Sequence, residues 1–373
     1  MKRMTLYLKS TLTVFITSIE KGAIMNLTLS STYQEISDQP EIFISLRNNL
    51  DAMQRIIRRV FTQWAPEHVI FTGCGTSYYL AQTCAALFSH YNAIKAHAVP
   101  CSELFFHPEL YVDSRKTLVC PITRSSATTE VRLAIQKVRE FDNIHTLAVT
   151  CCAGSEEYND ALLCLPLKED SVVMTKTFTA MTAMGAIISM TAAGKEETLR
   201  KMLDRLPSLA KQLIFEFSPL AGRILNERPG LRLFLTLGQG PYYGIAMECM
   251  NKIKEMSLSP AEAYHTLEYR HGPMSLTDIN TLAVILASQN TGRYEKALAD
   301  QLKGFGATIL VVGEQTKTDW SIADYCLMPQ TGLNDYQLCP AMGIVGQLLG
   351  LSLASVKGLD ADHPRHLEQA IIL

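Results

Sequence analysis

Between Met247 and Leu276 the chain reads MECMNKIKEMSLSPAEAYHTLEYRHGPMSL, a stretch rich in residues suited to acid–base chemistry. Glu248, Lys252 and Glu255 stand at i, i+4 and i+7, so a helix would place all three on one face. His271 follows in a Gly-Pro turn. A carboxylate and an imidazole presented in this way can move protons on a small polar substrate, with lysine orienting or polarising it. Two ordinary readings compete. Glu248 and Lys252 are also spaced for a solvated ion pair, and a histidine before Gly-Pro can simply close a turn.

A second set of residues points to an anion. Thr123-Arg124-Ser125-Ser126-Ala127-Thr128-Thr129 offers five hydroxyls and one guanidinium at a predicted strand–helix junction. Backbone N–H groups at a helix start, the helix dipole and such hydroxyls together can hold a dianionic phosphate. The alternative is that one or two of them cap the helix. Gly73-Cys74-Gly75-Thr76-Ser77 lacks the third glycine of a dinucleotide fingerprint, since Tyr78 stands there, and no Walker sequence is present.

These residues are set into an internal duplication. GCGTSYYLA at 73–81 recurs as GQGPYYGIA at 238–246, an offset of 165 positions. The same offset aligns TLVCPITRSSATTE (117–130) with LAVILASQNTGRYE (282–295). Each copy has an apolar run, a polar loop and then a helical pattern. Further strands are read at 145–151 and 307–312. Short apolar runs alternating with helices predict parallel sheets built from βαβ units, hence an α/β protein with two doubly wound domains. Their expected spans are 47–195 and 213–360. An N-terminal extension and helix (1–46), a charged helix-prone connector (196–217) and a C-terminal tail (361–373) complete the division. In such sheets ligands bind beyond the carboxyl ends of strands.

Composition narrows the class. Over 373 residues, 47% are hydrophobic and the net charge is -2, as in a globular protein with no basic field for nucleic acid or a membrane surface. Ten scattered cysteines without a C-x-x-C fit neither a disulfide framework nor structural zinc, and a reducing cytoplasm is expected. Lys2, Arg3 and the apolar stretch 6–19 look faintly like a leader, but Lys9 and Ser10 interrupt it and no cleavage site follows. Residues 1–24 are therefore left out of the fold reading.

With these pieces together, the chain resembles the SIS (sugar isomerase) family of phosphosugar enzymes, and within it the isomerase half of glutamine–fructose-6-phosphate aminotransferase. The likeness runs from about Tyr33 to the C-terminus. It includes GCGTSYYLA, the Ser/Thr loop, VMTKTFT (173–179), EAY…EYRHGP and KGLDADHPRHLEQAI (357–371). It implies two tandem SIS domains. It also implies that Ser77, Thr123, Ser125 and Thr128, with the Gly75-Thr76 turn, hold the phosphate, and that Arg124, Val172 and Thr175 line the pocket. Glu255 would shuttle a proton between C1 and C2. His271 would assist ring opening from the neighbouring subunit of a homodimer. Neither metal nor organic cofactor is implied. His363 and His366 look metal-like in isolation, but the likeness of D-A-D-H-P-R to the family tail implies a structural or lid role.

Three departures shape the functional expectation. The family's S-G-E-T loop reads Ser125-Ser126-Ala127-Thr128 here, and Gln369 stands where a tail lysine helps open a ketose ring. No glutaminase half is recognised upstream of Tyr33. The expected activity is that of a phosphosugar isomerase or deaminase acting on a hexosamine 6-phosphate, giving ketose phosphate and ammonia. A deglycase of 6-phosphorylated sugar–amino-acid adducts and a non-catalytic phosphosugar sensor are the alternatives.

Overall fold

A computed structural model describes residues 30–153 and 158–373; the leader-like segment lies outside them. The first half contributes α1 (Ser31–Ser37), α2 (Gln39–Trp64), β1 (His68–Gly73), α3 (Thr76–Tyr91), β2 (Ala96–Pro100) and α4 (Cys101–Phe106). It continues with β3 (Thr117–Thr123), α5 (Thr129–Val138), β4 (Ile144–Thr150), β5 (Ala161–Cys164) and α6 (Lys176–Ala192). Helix α7 (Glu196–Glu227) leads to β6 (Leu233–Gly238), α8 (Tyr242–Ser257), β7 (Ala261–Tyr264) and β8 (Thr281–Ala287). Then come α9 (Gly292–Gly304), β9 (Thr308–Gly313), β10 (Tyr325–Leu327) and α10 (Asp335–Val356).

Two five-stranded parallel sheets result, ordered β2-β1-β3-β4-β5 and β10-β9-β8-β6-β7. Read from the other edge, the second sheet repeats the first strand for strand, so the duplication is one of topology as well as sequence. Strand order reverses between β1 and β3, and between β6 and β8. At those points adjacent crossover helices leave on opposite faces and a crevice opens at the strand ends.

Strands β1, β3, β8 and β9 are buried along their whole length, because helices cover both faces of each sheet. Alternate residues face different cores. Val69, Phe71, Leu118 and Cys120 join Phe234, Leu282, Val284 and Leu310 in one large cluster between the sheets. Ile70 and Val119 face an outer cluster of the first half, and Leu235 and Ile285 one of the second. Both sheets thus share a central layer of helices, in which α2, α3, α6, α7, α8 and α10 pack on one another. The divisions expected at 47 and 213 fall inside α2 and α7, which run unbroken through both positions because they belong to that shared layer. Helix α10 is long and apolar enough to cross a bilayer, yet 89% of its most apolar window is buried inside the protein, as in a core helix.

The duplicated glycines have a conformational reason. Gly75 and Gly240, each just before a helix, take φ of 53° and 58°, a region unfavourable for residues with a Cβ. Gly244 has a packing reason: a Cβ there would stand 2.4 Å from the Tyr79 carbonyl oxygen, so α3 and α8 cross backbone to backbone. That crossing carries α8, an element of the second half, to the crevice of the first.

Candidate active site

The crevice at the β1/β3 switch holds a cavity of about 190 Å³. Its walls include Gly75, Thr76 and Ser77 from the β1–α3 turn, and Thr123, Arg124, Ser125 and Thr128 from the β3–α5 loop. Val172, Lys252, Glu255 and Gln369 complete the set. Eleven of the fourteen residues singled out in the sequence are thereby brought together.

The acid–base group sits where α8 meets the start of α3. The Lys252 ammonium donates to Glu255 Oε2 at 2.5 Å and to Thr76 Oγ1 at 3.3 Å, and lies 3.3 Å from Glu248 Oε1. Lys252 and Glu248 are fully buried, so a solvated surface pair is excluded. Burial alone depresses a lysine, but the charges of Glu248 and Glu255 outweigh it and hold Lys252 above its ordinary value. Glu248 goes the other way: burial pushes it up to about 8, against the pull of Lys252. Lys252, 3.3 Å from Oε1, is the charged group that opposes this rise. Lys252 is thus paired with Glu255 and flanked by a Glu248 carboxyl whose burial favours the protonated form.

Asn251, missed in the sequence, completes this group. Its amide donates to Glu255 Oε1 at 2.8 Å and to Thr76 Oγ1 at 3.1 Å. Both oxygens of Glu255 are therefore held from the helix itself, while the side chain keeps access to the cavity. The i, i+4 spacing of Asn251 and Glu255 was a readable signal.

The phosphate-type loop is folded by its own hydroxyls. Ser126 N–H donates to Thr123 Oγ1 and Ala127 N–H to Ser125 Oγ. Ser126 has φ 58°, where the family pattern has glycine, so the loop keeps a glycine-type turn without the glycine. Thr128 is the N-cap of α5 but makes no capping bond through its side chain, leaving its hydroxyl to the cavity.

Arg124 and Gln369 are tied into the wall. Arg124 donates to Glu169 at 3.2 Å, to the Val172 carbonyl at 3.0 Å and to the Gln369 carbonyl at 2.7 Å. The Gln369 amide donates to the carbonyls of Glu169 and Ser171. Thr129 N–H donates to the Ile371 carbonyl, and Asp362 accepts from Ser31 and Thr32 N–H. The tail thus lies across the cavity, anchored at three points. Two buried carboxylates hold the loop beneath it: Glu35 accepts from Asp170, Ser171 and Thr175, and Glu169 from Thr175 and Thr177.

Two sequence expectations are corrected. Thr175 is fully buried against Glu35 and Glu169 and does not line the cavity, because it caps α6 from behind the loop. Glu248 stands behind Lys252 rather than at the cavity wall. His271 is exposed, outside the cavity of its own chain; Arg270 beside it donates to Gln301, not to the imidazole. Among the described residues no group of three or more His, Cys, Asp or Glu could hold a metal ion, and His363 is paired with Asp360.

The second crevice is built alike but filled. Tyr242, at the position of Ser77, is fully buried there. Asp335 accepts from Ser288 Oγ at 2.7 Å and Gln289 N–H at 3.1 Å, while Glu295 accepts from Ser288 N–H at 2.9 Å. Carboxylates of the chain take the donors that an anion would need.

Comparison with known proteins agrees with this architecture. The SIS domain family matches at residues 64–190 and 232–352. Glutamine--fructose-6-phosphate aminotransferase [isomerizing] of Aquifex aeolicus is 27% identical over 95% of this chain, which spans 59% of that relative's length. A glucosamine-6-phosphate deaminase from Thermotoga maritima superposes with a TM-score of 0.72 at 28% identity, covering 92% of this chain and all of the other. Tagatose-6-phosphate ketose/aldose isomerase from Escherichia coli shares the fold, with a TM-score of 0.80 at 21% identity over 91% of this chain and 97% of its own. Two matched segments at the two switch-point halves, together covering most of the chain, place this protein in the SIS domain family.

Proposed function

We propose that the protein is a phosphosugar isomerase that deaminates a hexosamine 6-phosphate. The observation that carries this reading is the Lys252–Glu255 pair standing against Thr76 at a cavity walled by Ser77, Thr123, Ser125 and Thr128. A dianionic phosphate fits the hydroxyl-lined end, and the sugar's C1 and C2 then extend towards Glu255. The likeness to relatives named as glucosamine-6-phosphate deaminase and as isomerising aminotransferase supports a sugar phosphate as ligand.

Ring opening moves a proton from O1 to the ring oxygen; we assign this to His271 of a second copy, since the exposed imidazole does not reach its own cavity. In the open aminosugar, Glu255 takes the C2 proton and returns it at C1, while Lys252, hydrogen-bonded to that carboxylate, faces the developing enolate. The product is a C2 imine, which water hydrolyses to ketose phosphate and ammonia. Every step is a proton transfer or hydration that side chains can support.

The test is to incubate the purified protein with glucosamine 6-phosphate and assay ammonia and fructose 6-phosphate. Glu255→Gln is expected to bind the sugar phosphate normally and lose about 10²- to 10⁴-fold in turnover. Full activity in that variant would refute the role of Glu255. Release of a free amino acid from 6-phosphofructosyl amino acids, without ammonia from the aminosugar, would replace the deaminase with a deglycase.

A further inference from the structure

Arg124 stands in the wall of a cavity suited to an anion, yet its charge is already answered within the chain. Its Nη1 group donates to Glu169 Oε2 at 3.2 Å and to the Val172 carbonyl at 3.0 Å. Its Nη2 group donates to the Gln369 carbonyl at 2.7 Å. The two charged side chains are 12% and 1% exposed, so this is a buried pair, not a solvent-screened one. Glu169 is fixed in turn by the start of α6. Its Oε1 accepts from Thr175 and Thr177 N–H at 2.8 and 3.0 Å, and its Oε2 from the Thr177 hydroxyl at 2.7 Å. A chain of contacts therefore runs from α6, in the shared central layer, through Glu169 and Arg124 to the tail.

The tail is strained where it is held. His366 has φ 65°, a region costly for a residue with a Cβ. Such a conformation persists where the surrounding structure fixes both flanks. Upstream, the Asp362 carboxylate accepts from Ser31 and Thr32 N–H and its carbonyl from Val172 N–H. Downstream, Arg124 holds the Gln369 carbonyl. Leu367, Gln369 and Ile371 line the cavity, so what Arg124 holds is the cavity's cover.

We infer that Glu169 is a positioning residue, committing Arg124 to the tail instead of to the bound anion. With the guanidinium charge offset, a phosphate is held by hydroxyls and N–H groups, a grip that lets a charged product leave. The arginine serves to close the cover. Without the carboxylate charge, a buried guanidinium is left uncompensated, and an anion in the cavity it lines becomes its natural partner. Glu169→Gln makes this change selectively. The amide keeps an acceptor for the N–H groups of α6 but loses the charge that answers Arg124, so the arginine turns from tail to ligand. The affinity half of this inference rests on the phosphate reading of the cavity, while the clamp on the tail does not.

The experiment has two readouts on the full chain. Trypsin under native conditions cuts after the exposed Arg365, and mass spectrometry follows release of the peptide 366–373. Arg124→Met and Glu169→Gln are each expected to speed that release about tenfold, the size of one hydrogen bond to a charged group. Calorimetric titration with glucose 6-phosphate then separates them. Glu169→Gln should bind about tenfold more tightly than wild type, whereas Arg124→Met, with no cation to redirect, should bind no more tightly. Release from Arg124→Met at the wild-type rate overturns the clamp, and this variant leaves the contacts between Glu169 and α6 in place. Binding by Glu169→Gln no tighter than wild type reduces Glu169 to a cap of α6 and overturns its positioning role. A wild-type protein that binds no glucose 6-phosphate refutes the phosphate reading, and peptide release then decides the clamp alone.

Discussion

At residue scale the site is a problem in placing charge without water. Glu255 is held by Lys252 and Asn251, so losing either donor loosens the carboxylate that we propose acts on a substrate carbon. Asn251→Leu is expected to lower kcat about tenfold with little change in KM, the size of one hydrogen bond to a charged group; an equal rise in KM would make Asn251 a binding residue instead. Glu248 has a different signature. Its folded carboxyl titrates near 8 against an ordinary 4.5, so the bound proton's stabilisation is complete below pH 4.5 and is lost as the pH rises through 8. Glu248→Gln, which cannot titrate, should flatten the fall in melting temperature between pH 5 and 8; an unchanged slope would assign that fall to other groups. Glu248, Lys252 and Glu255 were legible because one helix sets their spacing. Asn251 was readable from the same spacing, but an amide beside three charged residues drew no chemical attention. Glu35 and Glu169 were not legible at all: Glu35 meets Ser171 across 136 positions, and no local pattern encodes such a contact.

Among the elements, the duplicated strand–turn–helix units were the clearest text. Gly75 and Gly240 mark turns that require positive φ, and the strands before them are continuous apolar runs. The β3–α5 loop carries a local conflict between residue and conformation. Ser126 sits at φ 58°, so Ser126→Gly is expected to raise stability by up to about 1 kcal/mol, seen as a higher denaturation midpoint at unchanged slope. A fall in the midpoint would mean that the Ser126 side chain contributes more than its backbone costs. Domain edges were poorly legible for a physical reason. Helices α2 and α7 serve the shared central layer, so neither composition nor periodicity changes where a boundary was expected.

For the whole molecule, the exposed position of His271 sets the decisive test. If each site borrows an imidazole from its neighbour, inactive Glu255→Gln and His271→Ala proteins, mixed after unfolding and refolding, should recover about a quarter of wild-type activity through hybrid dimers. A mixture as inactive as its parents would leave His271 outside the chemistry. The tail's anchors at Asp362, Gln369 and Ile371 show how distant segments finish a cavity begun by two adjacent turns. The filled second crevice has a consequence of its own. Asp335 is tethered to the donors it satisfies, so a free anion must compete with a carboxylate already in place, and the two halves are not equivalent crevices. Duplication here yields one open mouth and one stoppered one, and the stoppered half lends its helix to the other.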